Sequence, residues 1–256
     1  MSLDGRRILV TGASSGLGAH TVRLLASRGA NVAAAARRLD LVEALAAELA
    51  DAPGRVVPIR ADVTSEADVE HLVERAVAQL GGIDVLVNNA GAEIQGDLEH
   101  LALEDLEAML RGNVVSVFLV VRAALSALRS SRGMVVNLGS TVVGRPPHGR
   151  FGYVASKAAV EAMTRALAAD LGRDGIRVNC LRPGIIPSEL RGSSEAEERA
   201  RFETGTHFGR QALSSVGEGV DIAEAVAWLA GDGGRWVTGA VIDIDGGLTL
   251  GLADPI

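Results

Sequence analysis

Tyr153 is the only tyrosine of the 256-residue chain, and Lys157, four positions later, is its only lysine. Basic residues number 25 in all, so every other one is an arginine. Arg is planar and permanently charged, whereas Lys is a compact point charge on a flexible stem. A chain that writes Arg at 24 sites and keeps a single Lys has a use there for an amine. Residues four apart share one face of a helix, so the phenol and the ammonium point the same way. A free phenol titrates near 10 and moves protons poorly at neutral pH. A fixed cation beside it favours the phenolate and brings proton transfer toward the working pH, at about 4 kcal/mol of interaction for a three-unit shift. The pair is a candidate acid/base.

A second group has the chemistry of anion binding. Gly12-Ala13-Ser14-Ser15-Gly16-Leu17-Gly18 follows a short β-branched run and opens an amphipathic stretch. Three glycines let the backbone turn sharply and approach a pyrophosphate, whose charge rests on helix N-terminal amides. The Gly-x-x-x-Gly-x-Gly spacing departs from the commoner Gly-x-Gly-x-x-Gly, and alone it is a weak signal. A dinucleotide without a 2′-phosphate usually meets an acid about 20 residues on. Here Ala34-Ala35-Ala36-Arg37-Arg38 carries none. Arg37 and Arg38 fit a 2′-phosphate, which favours NADP(H); two solvated arginines, with NAD(H) bound, remain the alternative. Asp62-Val63 stands where an adenine amine would be met, and Asn88-Asn89-Ala90-Gly91 offers a floor of small residues for adenine and ribose.

The elements that must hold these groups alternate. Strand-like runs are expected at 7–11, 31–36, 55–59, 83–87, 133–138, 177–181 and 241–244. Amphipathic helices are expected between them, including 40–50 with Asp40 as its N-cap, and a long helical stretch over 104–129 interrupted near Gly112. Such alternation predicts an α/β fold: a doubly wound, Rossmann-like parallel sheet of seven strands with helices on both faces, in a single domain over 1–256. Ligands of these sheets lie at the carboxyl ends of the strands, where strand order reverses. The unusual residues fall there.

Composition bounds the remaining classes. Hydrophobic residues make up 48% and charged residues 22%, ordinary for a globular chain. The net charge of −7 provides no basic footprint for nucleic acid or an anionic membrane. No apolar stretch is expected to reach the roughly 18 residues of a membrane span, and no signal peptide is visible. Cys180, the only cysteine, excludes an internal disulfide and fits a reducing cytoplasm. His20, His71, His100 and His207 lack metal-ligand spacing, so no metal is expected.

In combination, Thr11-Gly12-x-x-x-Gly16-x-Gly18, Asn88-Asn89-Ala90-Gly91, Asn113, Ser140, Tyr153-x-x-x-Lys157 and Pro183-Gly184 resemble the short-chain dehydrogenases/reductases, over essentially the whole chain. The resemblance implies hydride transfer between a nicotinamide and a carbonyl or hydroxyl carbon, in a homotetramer or dimer. It implies that Lys157 also hydrogen-bonds the nicotinamide ribose, that Asn113 orders a water relaying protons to Lys157, and that Ser140 holds the substrate oxygen. Gly139 stands where the family more often has a first serine, and Ser188 where it often has threonine. Around Pro183, Gly184, Ile186 and Ser188 the backbone would fix the carboxamide, and 188–216 would form a lid over the substrate.

Pocket walls are expected from 92–94, 141–143 and 145–151, which mix Val142, Val143 and Phe151 with Arg145, His148 and Arg150. They suit a small carbonyl or alcohol with an apolar body and a carboxylate or other polar group. Acyl thioesters, cyclic ketones, sugars and steroids all stay open. Arg122 and Arg129 share a helix face and suit an acidic carrier protein, a solvated surface or a subunit contact. A nucleotide-sensing binder without turnover is the alternative class; the intact Asn113, Ser140, Tyr153 and Lys157 set argues against it. An epimerase or dehydratase on the same scaffold would usually need a further substrate domain.

Overall fold

The computed structural model describes residues 2–187, 196–197, 199–200, 211–213 and 215–250. Seven strands form one parallel sheet: β1 (Arg7–Thr11), β2 (Asn31–Ala36), β3 (Val56–Arg60), β4 (Val85–Asn88), β5 (Met134–Leu138), β6 (Arg177–Pro183) and β7 (Val241–Ile244). Their order is β3-β2-β1-β4-β5-β6-β7, so the order reverses between β1 and β4. A ligand crevice opens at that reversal because the loops leaving β1 and β4 diverge to opposite faces.

The sheet is apolar on both faces, as a sheet covered twice must be. In β1, Ile8 and Val10 face one side, where α1 (Gly16–Ser27), α2 (Leu39–Glu48) and α7 (Gly219–Ala230) bury Val22, Leu25, Val42, Leu45, Ile222 and Val226. Leu9 faces the other side, beneath α3 (Glu66–Leu80), α5 (Ser116–Ser131) and α6 (Phe151–Leu171). Each fully buried Leu or Val contributes roughly 1.5–3 kcal/mol. At the end remote from the crevice, Arg7 donates to both carboxylate oxygens of Asp84 and to the Gly81 carbonyl, clamping the feet of β1 and β4.

The structure departs from the sequence pattern at two helices. Helix α2 begins at Leu39 with Arg38 at its N-cap, so Asp40 lies in the first turn; it favours the positive helix end without capping it. The helical run over 103–131 is long and apolar enough, by composition, to span a bilayer. In the fold it is α4 (Leu103–Leu110), a π turn (Arg111–Val115) and α5, and Val117, Leu119, Val120, Val121, Ala124 and Leu128 are spent in the core. The interruption expected near Gly112 is that π turn.

Candidate active site

The turn leaving β1 is built around two glycines that no other residue replaces cheaply. Gly12 has φ +67°, and a Cβ there would come within 2.8 Å of the Ala90 Cα. A Cβ on Gly18 would lie 2.2 Å from the Gly12 carbonyl oxygen, so α1 packs directly under its own turn. Gly18 thus serves packing and does not line the cleft. From the β4 side, the Asn89 amide donates to the Thr11 and Gly12 carbonyls, at 3.0 Å each. The Thr11 hydroxyl accepts from the Asn89 and Ala90 backbone N–H groups. These bonds tie the two diverging loops into one unit.

Ser15 at the N-cap of α1 makes no side-chain cap, and the first turn has no acid. The first amides of α1 therefore keep their donors and partial positive charge for an incoming anion. The Arg38 guanidinium, reaching back from the end of β2, donates to the Ser14 and Ser15 hydroxyls at 3.1 and 2.8 Å. Asp62 Oδ1 accepts from the Thr64 N–H and hydroxyl. Burial acts to raise the Asp62 carboxyl, but those bonds and the charges of Arg37 and Arg60 outweigh it, and the group sits below the usual carboxylate range.

At the other end lies α6. Its first turns carry Tyr153 and Lys157, both buried, with the Lys157 nitrogen 5.7 Å from the centre of the Tyr153 ring. Lys157 Nζ donates to the Leu138 carbonyl at the end of β5, 2.8 Å away. Burial lowers its pKa from 10.5 to about 8, against the opposing fields of Cys180 and Glu93. Ser140 caps a 3₁₀ turn (Thr141–Val143), its hydroxyl accepting from the Val142 N–H at 3.4 Å. Helix α6 is held to β6 by the buried Glu161, which receives two bonds of 2.7 Å from Arg182.

Asn113, in the π turn, is buried and does not line the cleft. Its Oδ1 accepts from the Ala92 N–H, and its Nδ2 donates to the Ala92 carbonyl and the Ser156 hydroxyl. Ser156 in turn donates to the Tyr153 carbonyl. The amide is therefore a brace between the loop after β4 and the turn of α6 that carries Tyr153. Sequence spacing gave no signal for Ser156, whose partner lies 43 positions away.

A cleft of about 1110 Å³ joins both ends. Of the expected site residues, Gly12, Ser14, Ser15, Gly16, Leu17, Arg37, Arg38, Asp62, Val63, Asn89, Ala90, Gly91, Ser140, Tyr153, Lys157, Pro183, Gly184 and Ile186 line it. Ser188 and most of 188–216 fall outside the described residues. Arg122 pairs with Glu66 and lies over the Phe118 ring, and Arg129 pairs with Asp174, so neither presents a bare cation to a carrier. Uncapped helix amides at one end and a buried phenol–ammonium pair at the other fit a nicotinamide dinucleotide laid between them.

A family model described as enoyl-(acyl carrier protein) reductase matches residues 12–249. The 3-oxoacyl-(acyl-carrier-protein) reductase of Thermotoga maritima is 37% identical over 253 residues, covering 98% of this chain and 100% of that protein. The chain belongs to the short-chain dehydrogenase/reductase family. A short-chain dehydrogenase from Burkholderia cenocepacia, solved with NADP, superposes with a TM-score of 0.86 at 35% identity, covering 97% of this chain and 99% of that one. A 3-ketoacyl-(acyl-carrier-protein) reductase from Brucella melitensis, solved with NADH, gives 0.86 at 30% identity, with 97% and 100% covered. As a short-chain dehydrogenase/reductase, the protein is a nicotinamide-dependent oxidoreductase acting on CH–OH and C=O groups.

Proposed function

We propose that the protein interconverts a small ketone and its secondary alcohol, with Tyr153 as the general acid/base, and prefers NADP(H). When bound, the nicotinamide supplies the hydride for reduction or takes it up in oxidation. In the reductive direction the substrate oxygen accepts hydrogen bonds from the Ser140 and Tyr153 hydroxyls. The Tyr153 proton passes to that oxygen as the carbonyl carbon gains the hydride, and the phenolate left behind is stabilised by the adjacent ammonium. Lys157 also donates to the nicotinamide ribose, and returns a proton toward Tyr153. Asn113 acts through Ala92 and Ser156, keeping the floor of the cleft and the Tyr153 turn in register; a water on the proton path would be held near it by backbone groups.

The observation that carries this reading is the buried Lys157 ammonium 5.7 Å from the Tyr153 ring, in a cleft at the carboxyl ends of the strands. The NADP(H) preference is supported by Arg38 hanging over the uncapped start of α1, Arg37 beside it, and the lack of an acid at the end of β2. Asp62 would accept from the adenine amine, and the backbone near Gly184 and Ile186 would hold the carboxamide. Assembly into a homotetramer is supported by the position of β7 at the edge of the described sheet and by the exposed Trp236 and Phe118, and the single buried thiol suits a reducing cytoplasm.

The test is Tyr153→Phe. Oxidation of NADPH with a panel of ketones, followed by absorbance, should fall about 10³-fold or more while the NADPH dissociation constant stays within a few-fold. Full turnover by the variant would refute the assignment. Tight NADPH binding by the parent with no turnover of any carbonyl would favour the sensing protein instead.

A further inference from the structure

We infer that Glu93 and Arg150 form a paired acceptor–donor platform at the substrate end of the cleft, selecting an uncharged substrate that carries a hydroxyl group besides the reacting one. The inference rests on the oxidoreductase reading above and specifies its substrate class. Glu93 lies in the loop after β4, two residues past Gly91, and Arg150 occupies the N-cap position of α6. Arg150 Nε is 3.1 Å from Glu93 Oε1. The Glu93 side chain is 3% exposed and that of Arg150 21%, yet both line the cleft together with Ser140 and Tyr153. Arg150 stands at the entry of the helix whose first turn carries Tyr153, and both side chains line the same cleft. A Cβ on Gly91, two residues before Glu93, would lie 3.6 Å from the Lys157 nitrogen, so the loop that carries Glu93 runs beside the reacting groups.

The chemistry of the pair discriminates among substrates. An apolar segment laid against it would strip water from two charges and return no hydrogen bond. A carboxylate would have to compete with Glu93 for the guanidinium while facing a fixed like charge. An ammonium would face Arg150 and Lys157. A hydroxyl has one proton to donate and lone pairs to accept with, so it can donate to Glu93 and accept from Arg150 at once. Both bonds are charge-assisted and therefore stronger than neutral ones. Besides Arg37, Arg38 and Arg150, two further arginines line the cleft: Arg145 donates Nη1 to the Leu248 carbonyl at 2.9 Å, and Arg111, at the start of the π turn, is exposed to solvent. From the sequence, Arg145, His148 and Arg150 together suit a carboxylate or other polar group; Glu93 beside Arg150, a neighbour that the sequence does not place there, favours the polar, uncharged choice.

The experiment compares, with NADPH and the full-length protein, ketones of matched carbon skeleton in plain, hydroxylated and carboxylated forms, taking the best member of each class. The parent should favour the hydroxylated class over the plain class by about 10- to 100-fold in kcat/KM, with the carboxylated class behind both. Glu93→Gln should cut the hydroxyl preference at least about tenfold and raise turnover of the carboxylated class, because Arg150 is then uncompensated. Arg150→Gln should lose the hydroxyl preference with no such gain. An NADPH dissociation constant within about threefold of the parent certifies that each variant is folded; if one fails, the other carries the comparison. A parent that prefers plain or carboxylated ketones, or variants that leave the ratios unchanged, would overturn the inference while leaving Tyr153 chemistry standing. A parent that reduces no ketone at all sinks both.

Discussion

Replacing Lys157 with Met should abolish turnover and yet make the cofactor-free protein more stable at neutral pH. Burial lowers the Lys157 pKa from 10.5 to about 8. Each pKa unit corresponds to about 1.4 kcal/mol, so holding the charged amine inside costs the folded state about 3 kcal/mol at pH 7. The sign follows from proton binding. Below pH 8 both folded and unfolded chains are protonated at this site and the full penalty is present. Between about 8 and 10.5 the folded state has released the proton and the unfolded state has not, so stability gains as pH rises. Met removes the penalty but leaves the Leu138 carbonyl without its 2.8 Å donor, a loss of about 1–2 kcal/mol. The net expectation at pH 7 is a gain of about 1–2 kcal/mol, or roughly 2–8 °C in melting temperature for a chain of this size. By pH 9.5 the advantage should close by about 2 kcal/mol. Calorimetric melting of both proteins at the two pH values decides it, alongside an NADPH assay expected to drop at least about 10²-fold. A variant that melts below the parent at pH 7, or a difference that ignores pH, would refute the reasoning.

Other perturbations reach different parts of the frame. Arg38→Ala removes the guanidinium that bridges Ser14 and Ser15; the NADPH dissociation constant should rise about 10- to 100-fold with NADH little changed, read by fluorescence titration. Arg182→Met leaves Glu161, whose side chain is 4% exposed, without its bidentate partner. A loss of about 3–5 kcal/mol is expected in a denaturant titration, and an unchanged midpoint would show that the pair does not hold α6 to β6. Gly18→Ala would drive a methyl group against the Gly12 carbonyl from 2.2 Å, so stability should fall by about 1–3 kcal/mol and both nucleotides should bind more weakly.

Much of this frame is legible in the sequence because the signals are local. β1, β2 and β7 end where their apolar runs end, and Tyr153 and Lys157 fall on one helix by spacing alone. The interruption at Gly112 is visible as a break in pattern, though not its identity as a π turn. What stays hidden is non-local. Asn113 looks like a residue aimed at the reaction, but its amide is consumed by Ala92 and Ser156, an arrangement set by how α6 packs on the loop after β4. Glu93 and Arg150 are 57 positions apart and meet only because β4 and α6 converge on the same crevice. Arg122 and Arg129 look like a free basic face until α3 and the turn at Asp174 bring their acids. Gly18 is legible as a glycine of the turn, but its cause is the carbonyl beneath it.

Because the sole lysine lies buried within α6, a lysine-specific protease has a single cut site, and the folded chain conceals it. Cleavage requires α6 to open or the molecule to unfold, so the rate of appearance of two fragments clocks the loosening of the segment that bears Tyr153. A bound dinucleotide should slow that clock in proportion to its occupancy. The rarity of one side chain thereby makes the working helix its own reporter.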